Sequence, residues 1–212
     1  MKKSIFTLLL VLGFTLTNAQ NYEGGMKETI LLYDSVKTMS DYQNIVNRFE
    51  RIATAESKKW LPKYYAGLTY VFMSFVKGLD SDKRDEYLDL AMVQVEAAKE
   101  LSANNSELMV LEGYVKMAKV SISPAVRGVY MSGQVSSTFA KALELNPSNP
   151  RANLMNGRWK IGMAQFFGSS TEEACGFIQK SMALFEAEED DTIQPHWGIG
   201  QARAMVRKCS QE

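Results

Sequence analysis

Four glycines recur along the chain at nearly equal intervals. Gly67, Gly113, Gly157 and Gly200 are separated by 46, 44 and 43 residues. A period of this size constrains the fold before any other feature. It marks a chain of similar structural units, each burying its apolar face against the next. The surrounding sequence repeats in step. Ala98-Lys99-Glu100-Leu101, followed by Asn105, returns 44 residues later as Ala142-Leu143-Glu144-Leu145, followed by Asn149. Leu-Pro-Lys-Tyr-Tyr-Ala-Gly at 61–67 parallels Gln-Pro-His-Trp-Gly-Ile-Gly at 194–200. A glycine at one fixed place in each unit has a steric reason, because two helices that cross closely leave no room for a side chain there. The four are therefore candidate repeat-packing glycines.

The units are helical. Apolar residues recur at helix spacing almost throughout, and no stretch sustains the alternation of a half-buried strand. The pattern predicts helices over about 26–38, 41–55, 60–77, 82–101, 106–122, 124–145, 151–167, 171–187 and 195–209. Ser40 or Asp41, the run Asp80-Ser81-Asp82, and Ser106 are the expected caps, and Pro62 and Pro124 sit where a first helical turn tolerates proline. Asn146-Pro147-Ser148-Asn149-Pro150 is a stop, and the acidic run through Glu188-Glu189-Asp190-Asp191-Thr192 joins the last two helices. Such an order predicts an all-α bundle or solenoid.

At Ala-Leu-Glu-Leu-Asn-Pro-Ser-Asn-Pro-Arg-Ala (142–152) the chain resembles the tetratricopeptide-repeat superfamily, at the joint between one repeat's second helix and the next repeat's first. Trp60, Gly67 and Tyr70 resemble the aromatic, small and aromatic positions of a first helix. Exported bacterial proteins of this superfamily share the look of the stretch from Asn47 to Pro62. The period is longer than the family's usual 34, and Lys116, Lys160 and Arg203 replace the second aromatic in later units. The resemblance implies a helical-hairpin solenoid, a right-handed superhelix whose first helices line a concave face. Register with the glycines puts Tyr64, Leu68, Val110, Tyr114, Leu154, Arg158, Trp197 and Gln201 on that face, as protein- or peptide-binding candidates or as packing between repeats.

The N-terminus reads as a secretory signal. Lys2 and Lys3 precede an uncharged apolar run from Ile5 to Leu16, with small residues before an expected cleavage after Ala19. The run falls short of the roughly 20 residues that span a bilayer. The expected organisation is a signal at 1–19, a flexible lead at 20–25 and one repeat domain at 26–212, with no transmembrane segment after cleavage. Loss of Lys2 and Lys3 takes the net charge from zero to −2. No basic stripe suits nucleic acid. The expected address is the periplasm or the cell exterior.

Cys175 and Cys209 sit at mirror positions across the loop between the last two helices. An oxidising compartment permits a disulfide there, and two buried thiols are the alternative. His196 is the only histidine, which reads as an ordinary surface or packing residue and leaves no zinc set or nucleophile–base system. No phosphate loop, Gly-x-Ser-x-Gly or His-Glu-x-x-His occurs. The expectation is therefore a non-enzymatic scaffold or adaptor without cofactor or metal, holding a protein or peptide partner. A structural subunit of an envelope complex and an enzyme with an unrecognised site are the alternatives.

Overall fold

A computed structural model of the chain describes residues 22–189 and 193–211. The signal at 1–19 and Asp190, Asp191 and Thr192 of the acidic loop lie outside the described residues. Among these the chain is all-α. Helix α1 covers 22–31 and runs into a 3-10 turn, Leu32–Ser35. There follow α2 (Met39–Ala55), α3 (Leu61–Ser74), α4 (Ser81–Leu101), α5 (Ser106–Ile122), α6 (Pro124–Leu145), α7 (Pro150–Phe167), α8 (Glu172–Glu186) and α9 (Ile199–Cys209).

The helices pair in sequence as α3–α4, α5–α6 and α7–α8. Helices α3, α5 and α7 also touch one another and make an inner row, flanked by α4, α6 and α8. Helix α2 packs on α3 at one end and α9 on α8 at the other. Burial follows this order. On α3, twelve of fourteen residues are buried, so the helix is apolar all round. Terminal α2 buries only the stripe Ile45, Val46, Phe49 and Ala53, at helix spacing. The main core runs continuously from Met26 on α1 to Trp159 on α7, and Leu154, Ile178, Phe185 and Ala202 form a smaller one under α9.

Caps fix where the units begin. Thr38, two residues before Ser40 and three before Asp41, caps α2: its Oγ1 accepts from the Asp41 amide at 3.2 Å while Asp41 Oδ2 accepts from the Thr38 amide at 2.8 Å. Such a box is worth about 1 kcal/mol. Asp80, the first residue of the Asp80-Ser81-Asp82 run, caps α4. Asn105, not Ser106, caps α5, and Asn149 caps α7 in the same role. The repeated asparagine of the sequence is thus the cap of two inner helices, α5 and α7. Asn149 also donates through Nδ2 to Ser106 Oγ at 3.0 Å and Glu107 Oε1 at 2.8 Å, which ties α7 to α5.

Two expectations about the ends are corrected. Residues 22–25, read as part of a flexible lead, are helical through Gly24 and Gly25. Burial of Met26 and the bond from Thr29 Oγ1 to the Gly25 carbonyl at 2.7 Å outweigh the poor helix propensity of glycine. The last helix begins at Ile199 rather than Pro195, because Gly198 takes a φ of +113° and the residues before it leave the helical conformation.

Candidate functional site

Segment 193–198 decides what the inner face can do. It is non-helical and crosses the inner row. Tyr65 of α3 donates from its hydroxyl to the carbonyls of Ile193 and Gln194, at 3.2 and 3.0 Å. Pro195 is buried. Trp197 donates from Nε1 to the Tyr64 hydroxyl at 2.7 Å and stacks on Tyr114 of α5 with centroids 5.8 Å apart.

This placement sorts the eight residues expected to line an open concave face. Tyr64, Leu68, Val110, Tyr114 and Leu154 are between 0 and 4% exposed and belong to the core, so they are no free binding surface. Their apolar side chains are consumed by packing within the row and beneath the chain's own segment. Arg158, Trp197 and Gln201 stay partly exposed and meet. Arg158 donates to Gln201 Oε1 at 2.7 Å and lies over the Tyr114 ring, 5.8 Å from its centroid. It has no carboxylate partner among the described residues. A half-buried guanidinium in that state, with donors beyond those it has used, suits an acidic group on a ligand.

Beyond the segment the inner face stays open. A cleft of about 260 Å³ lies between the α1 end, α3 and residues 196–199, lined by Leu31, Tyr33, Phe72, His196 and Trp197 among others. Tyr33, Tyr65, Phe72 and Trp197 are its aromatic lining, and Phe72 meets Tyr33 edge-on at 5.8 Å. Outside the cleft, Tyr42 lies 6.4 Å from Phe72 and Phe75 lies 6.0 Å from Tyr114. Leu31 is 65% and Phe75 44% exposed. Tyr33 hydrogen-bonds Thr69 at 2.5 Å, and burial pushes its hydroxyl well above the ordinary range, so it stays protonated. His196 is exposed at the rim, with Nδ1 2.9 Å from the Gln194 carbonyl oxygen.

On its other side His196 borders a charged notch with Glu107, Arg151 and Glu188. Arg151 is 4% exposed, and its Nε lies 2.9 Å from Glu107 while its Nη1 lies 3.0 Å from Glu188. Burial raises the Glu107 carboxyl above its usual range, and Arg151 opposes that shift. This buried pair fastens α5, α7 and the end of α8 beneath the segment. Removing one partner alone costs about 3–5 kcal/mol.

The candidate glycines separate by geometry. A Cβ at Gly113 meets the Phe139 ring at 2.4 Å, and one at Gly157 meets Ile178 Cδ1 at 2.6 Å. Gly67 is tighter than ordinary contact, at 3.3 Å from the Ala91 carbonyl. Gly200 faces nothing within 4 Å and is not a packing glycine. Gly198 holds that role in the last unit, where a Cβ would lie 2.8 Å from Phe185. Cys175 and Cys209 form a disulfide with Cα atoms 5.7 Å apart, binding α9 to α8.

Leu31, Tyr33, Phe72 and Phe75 were missed from sequence, although Tyr65, Leu68, Phe72 and Phe75 trace one helix stripe along α3. A second apolar surface was missed too. The first turns of α6 expose Val126, Val129 and Tyr130, and the end of α7 exposes Phe166 and Phe167. Trp159 Nε1 donates to Ser136 Oγ at 2.8 Å, which ties α7 to α6. Among the described residues no group of three or more His, Cys, Asp or Glu side chains can hold a metal ion, and no helix is long and apolar enough to cross a membrane.

No protein-family model matches the sequence, and no curated protein matches it. Among solved structures, the HusA haemophore from Porphyromonas gingivalis matches with a TM-score of 0.78. The identity is 27%, over 88% of this chain and 91% of that one. The likeness supports an all-α fold.

Proposed function

We propose that this protein is an exported carrier of a flat, largely apolar ligand of the haem kind, held at the open half of its inner face. One observation carries the reading: partly exposed rings and a carboxylate-free arginine converge beside segment 193–198, in a fold shared over nearly its whole length with a haemophore. Aromatic faces suit a planar macrocycle. Arg158 suits a carboxylate substituent. The cleft of about 260 Å³ lies below the range of pockets that enclose a drug-sized molecule. A tetrapyrrole would therefore seat one edge there and rest the remainder on exposed lining such as Leu31. Export rests on the leader from Lys2 to Ala19 and fits the disulfide. The glycine-crossed helix pairs, two of them Asn-capped, fit tetratricopeptide-like repeats.

The test is a titration of the mature chain with haemin, followed by Soret absorbance and tryptophan fluorescence, in wild type and Arg158→Glu. Saturable binding that weakens in the variant supports the reading. Absence of any spectral change in the wild type refutes it.

A second reading is a scaffold for a protein partner, or a subunit of an envelope complex. The exposed Val129 and Tyr130 of α6 and the exposed Phe166 and Phe167 of α7 favour it, since exposed apolar patches mark protein interaction sites. In that case Phe166→Ser would abolish capture of the partner and leave haemin titration unchanged.

A further inference from the structure

We propose that the groove formed by α6, α7 and α8 is a second binding site, for a small, uncharged, largely apolar molecule whose amide edge pairs with the side chain of Asn156. The site is independent of the carrier reading, since it shares no lining residue with the inner cleft.

Helix spacing makes the groove. Asn156, Trp159, Met163 and Phe167 lie on one face of α7, at intervals of 3, 4 and 4 residues. Leu143 of α6 and Phe177 of α8 add to the lining, and the space holds about 560 Å³. That lies within the range of about 300–1,000 Å³ for pockets that take small molecules.

Asn156 is what points to a ligand. The residue is only 6% exposed and lines the groove. Its side-chain amide has no hydrogen-bond partner among the described residues, and it opens to the groove rather than being sealed in the core. A buried polar group without a partner costs free energy, and native structures hold few of them. The side chain offers two donors and one acceptor. A second amide answers both kinds side by side. A carboxylate can only accept, an ammonium can only donate, and a single hydroxyl cannot present both edges at once.

The preceding repeat closes the same position with its own side chains. Forty-four residues earlier, Glu112 stands in the place of Asn156, Lys116 in that of Lys160 and Lys99 in that of Leu143. Glu112 is 8% exposed and accepts from Lys116 at 2.6 Å and Lys99 at 2.8 Å, while Lys116 also donates to Thr138 at 3.0 Å. In the last unit each part differs. Leu143 brings no donor, Asn156 carries no charge, and Lys160 pairs with Glu173 of α8 at 2.8 Å. The two charges at the groove therefore cancel, which suits a neutral ligand. Trp159 has given its Nε1 to Ser136, so it offers the ligand an apolar ring beside those of Phe167 and Phe177.

The experiment is a protein-detected NMR titration of the mature chain with 1-naphthaleneacetamide and with 1-ethylnaphthalene, which has the same rings and no amide. At saturation the first probe should shift the Asn156 side-chain resonance of the wild type. In Asn156→Leu the affinity ratio of amide to ethyl probe should fall about tenfold, the effect of losing hydrogen bonds to a buried group. Leu143→Lys, which restores the residue of the preceding unit, should weaken both probes by filling the groove. An affinity ratio unchanged in Asn156→Leu overturns the proposal. An Asn156 resonance unmoved at saturation overturns it as well, and needs no variant to fold. Binding of both probes unaltered in Leu143→Lys places the naphthalene elsewhere and overturns it, as does failure of the wild type to bind either probe.

Discussion

Substitution of Gly113 by alanine should destabilise the protein, and the size of the effect follows from one contact. The added Cβ would lie 2.4, 2.7 and 2.9 Å from three atoms of the Phe139 ring, which is fully buried. Carbon atoms pack at about 3.5–4.0 Å, so the ring must move by about 1 Å or more within a filled core. A flat, rigid ring has no flexible end to fold away. Overpacking of this kind costs about 1–3 kcal/mol, and three short contacts put this site at the upper end. Alanine recovers about 1 kcal/mol of helix propensity, leaving a net loss of about 2 kcal/mol. Gly200→Ala is the internal control. Nothing lies within 4 Å of its Cβ position, so only the propensity gain remains, at most about 1 kcal/mol in a first turn. Gly157→Ala should fall between them, since Ile178 can turn but the Ala174 carbonyl at 3.1 Å cannot. Urea unfolding of the three variants gives the order through the midpoint at constant slope. Thermal unfolding should separate Gly113→Ala from Gly200→Ala by about 6–12 °C. A Gly200→Ala variant as unstable as Gly113→Ala, or a neutral Gly113→Ala, would refute the geometric assignment.

Two further outcomes are open to measurement. Closing a loop with a separation of 34 residues, the Cys175–Cys209 disulfide should contribute about 3–4 kcal/mol; reductant should lower the melting temperature of the wild type and leave a Cys175→Ser/Cys209→Ser variant unmoved. Burial would raise the Glu112 carboxyl, but hydrogen bonds from Lys116 at 2.6 Å and Lys99 at 2.8 Å outweigh it and hold the group below its ordinary 4.5. With the folded value below the unfolded one, its stabilisation is complete above about pH 4.5 and is lost as pH falls through the folded value. Glu112→Gln should therefore flatten the acid limb of a stability-against-pH curve, and an unchanged limb would remove Glu112 from the account.

Much of the architecture was legible because helix period, caps and steric glycines are local signals. The stripe of Ile45, Val46, Phe49 and Ala53 announces α2, and the paired Asn105 and Asn149 announce the starts of two inner helices. The failures came where a local signal met a tertiary one. Gly24 and Gly25 read as a breaker, yet the burial of Met26 holds them in a helix. The likeness of 194–200 to 61–67 carried a helix start back to Pro195 and the packing role to Gly200. Both belong elsewhere, because Gly198 turns left-handed against Phe185 and Leu154.

The same turn explains why the site itself could not be read. A repeat register predicts an inner face built evenly from α3, α5 and α7. Once 193–198 lies across the row, that face divides. Tyr64, Val110 and Leu154 pass into the core, and what remains open is set by residues with no place in the repeat. Leu31 and Tyr33 come from the end of α1 and the turn after it, His196 and Trp197 from the segment before α9, and Tyr65, Leu68 and Phe72 from a repeat helix. Contact between the two ends depends on Tyr65 reaching the Ile193 and Gln194 carbonyls, a pairing far apart in sequence and carried by no periodicity. The disulfide follows the same logic: by fixing α9 to α8 it holds the far anchor of the segment that roofs the cleft. Reduction should therefore loosen ligand binding as well as lower stability, whereas a site on the outer ends of α6 and α7 would feel the loss of stability alone.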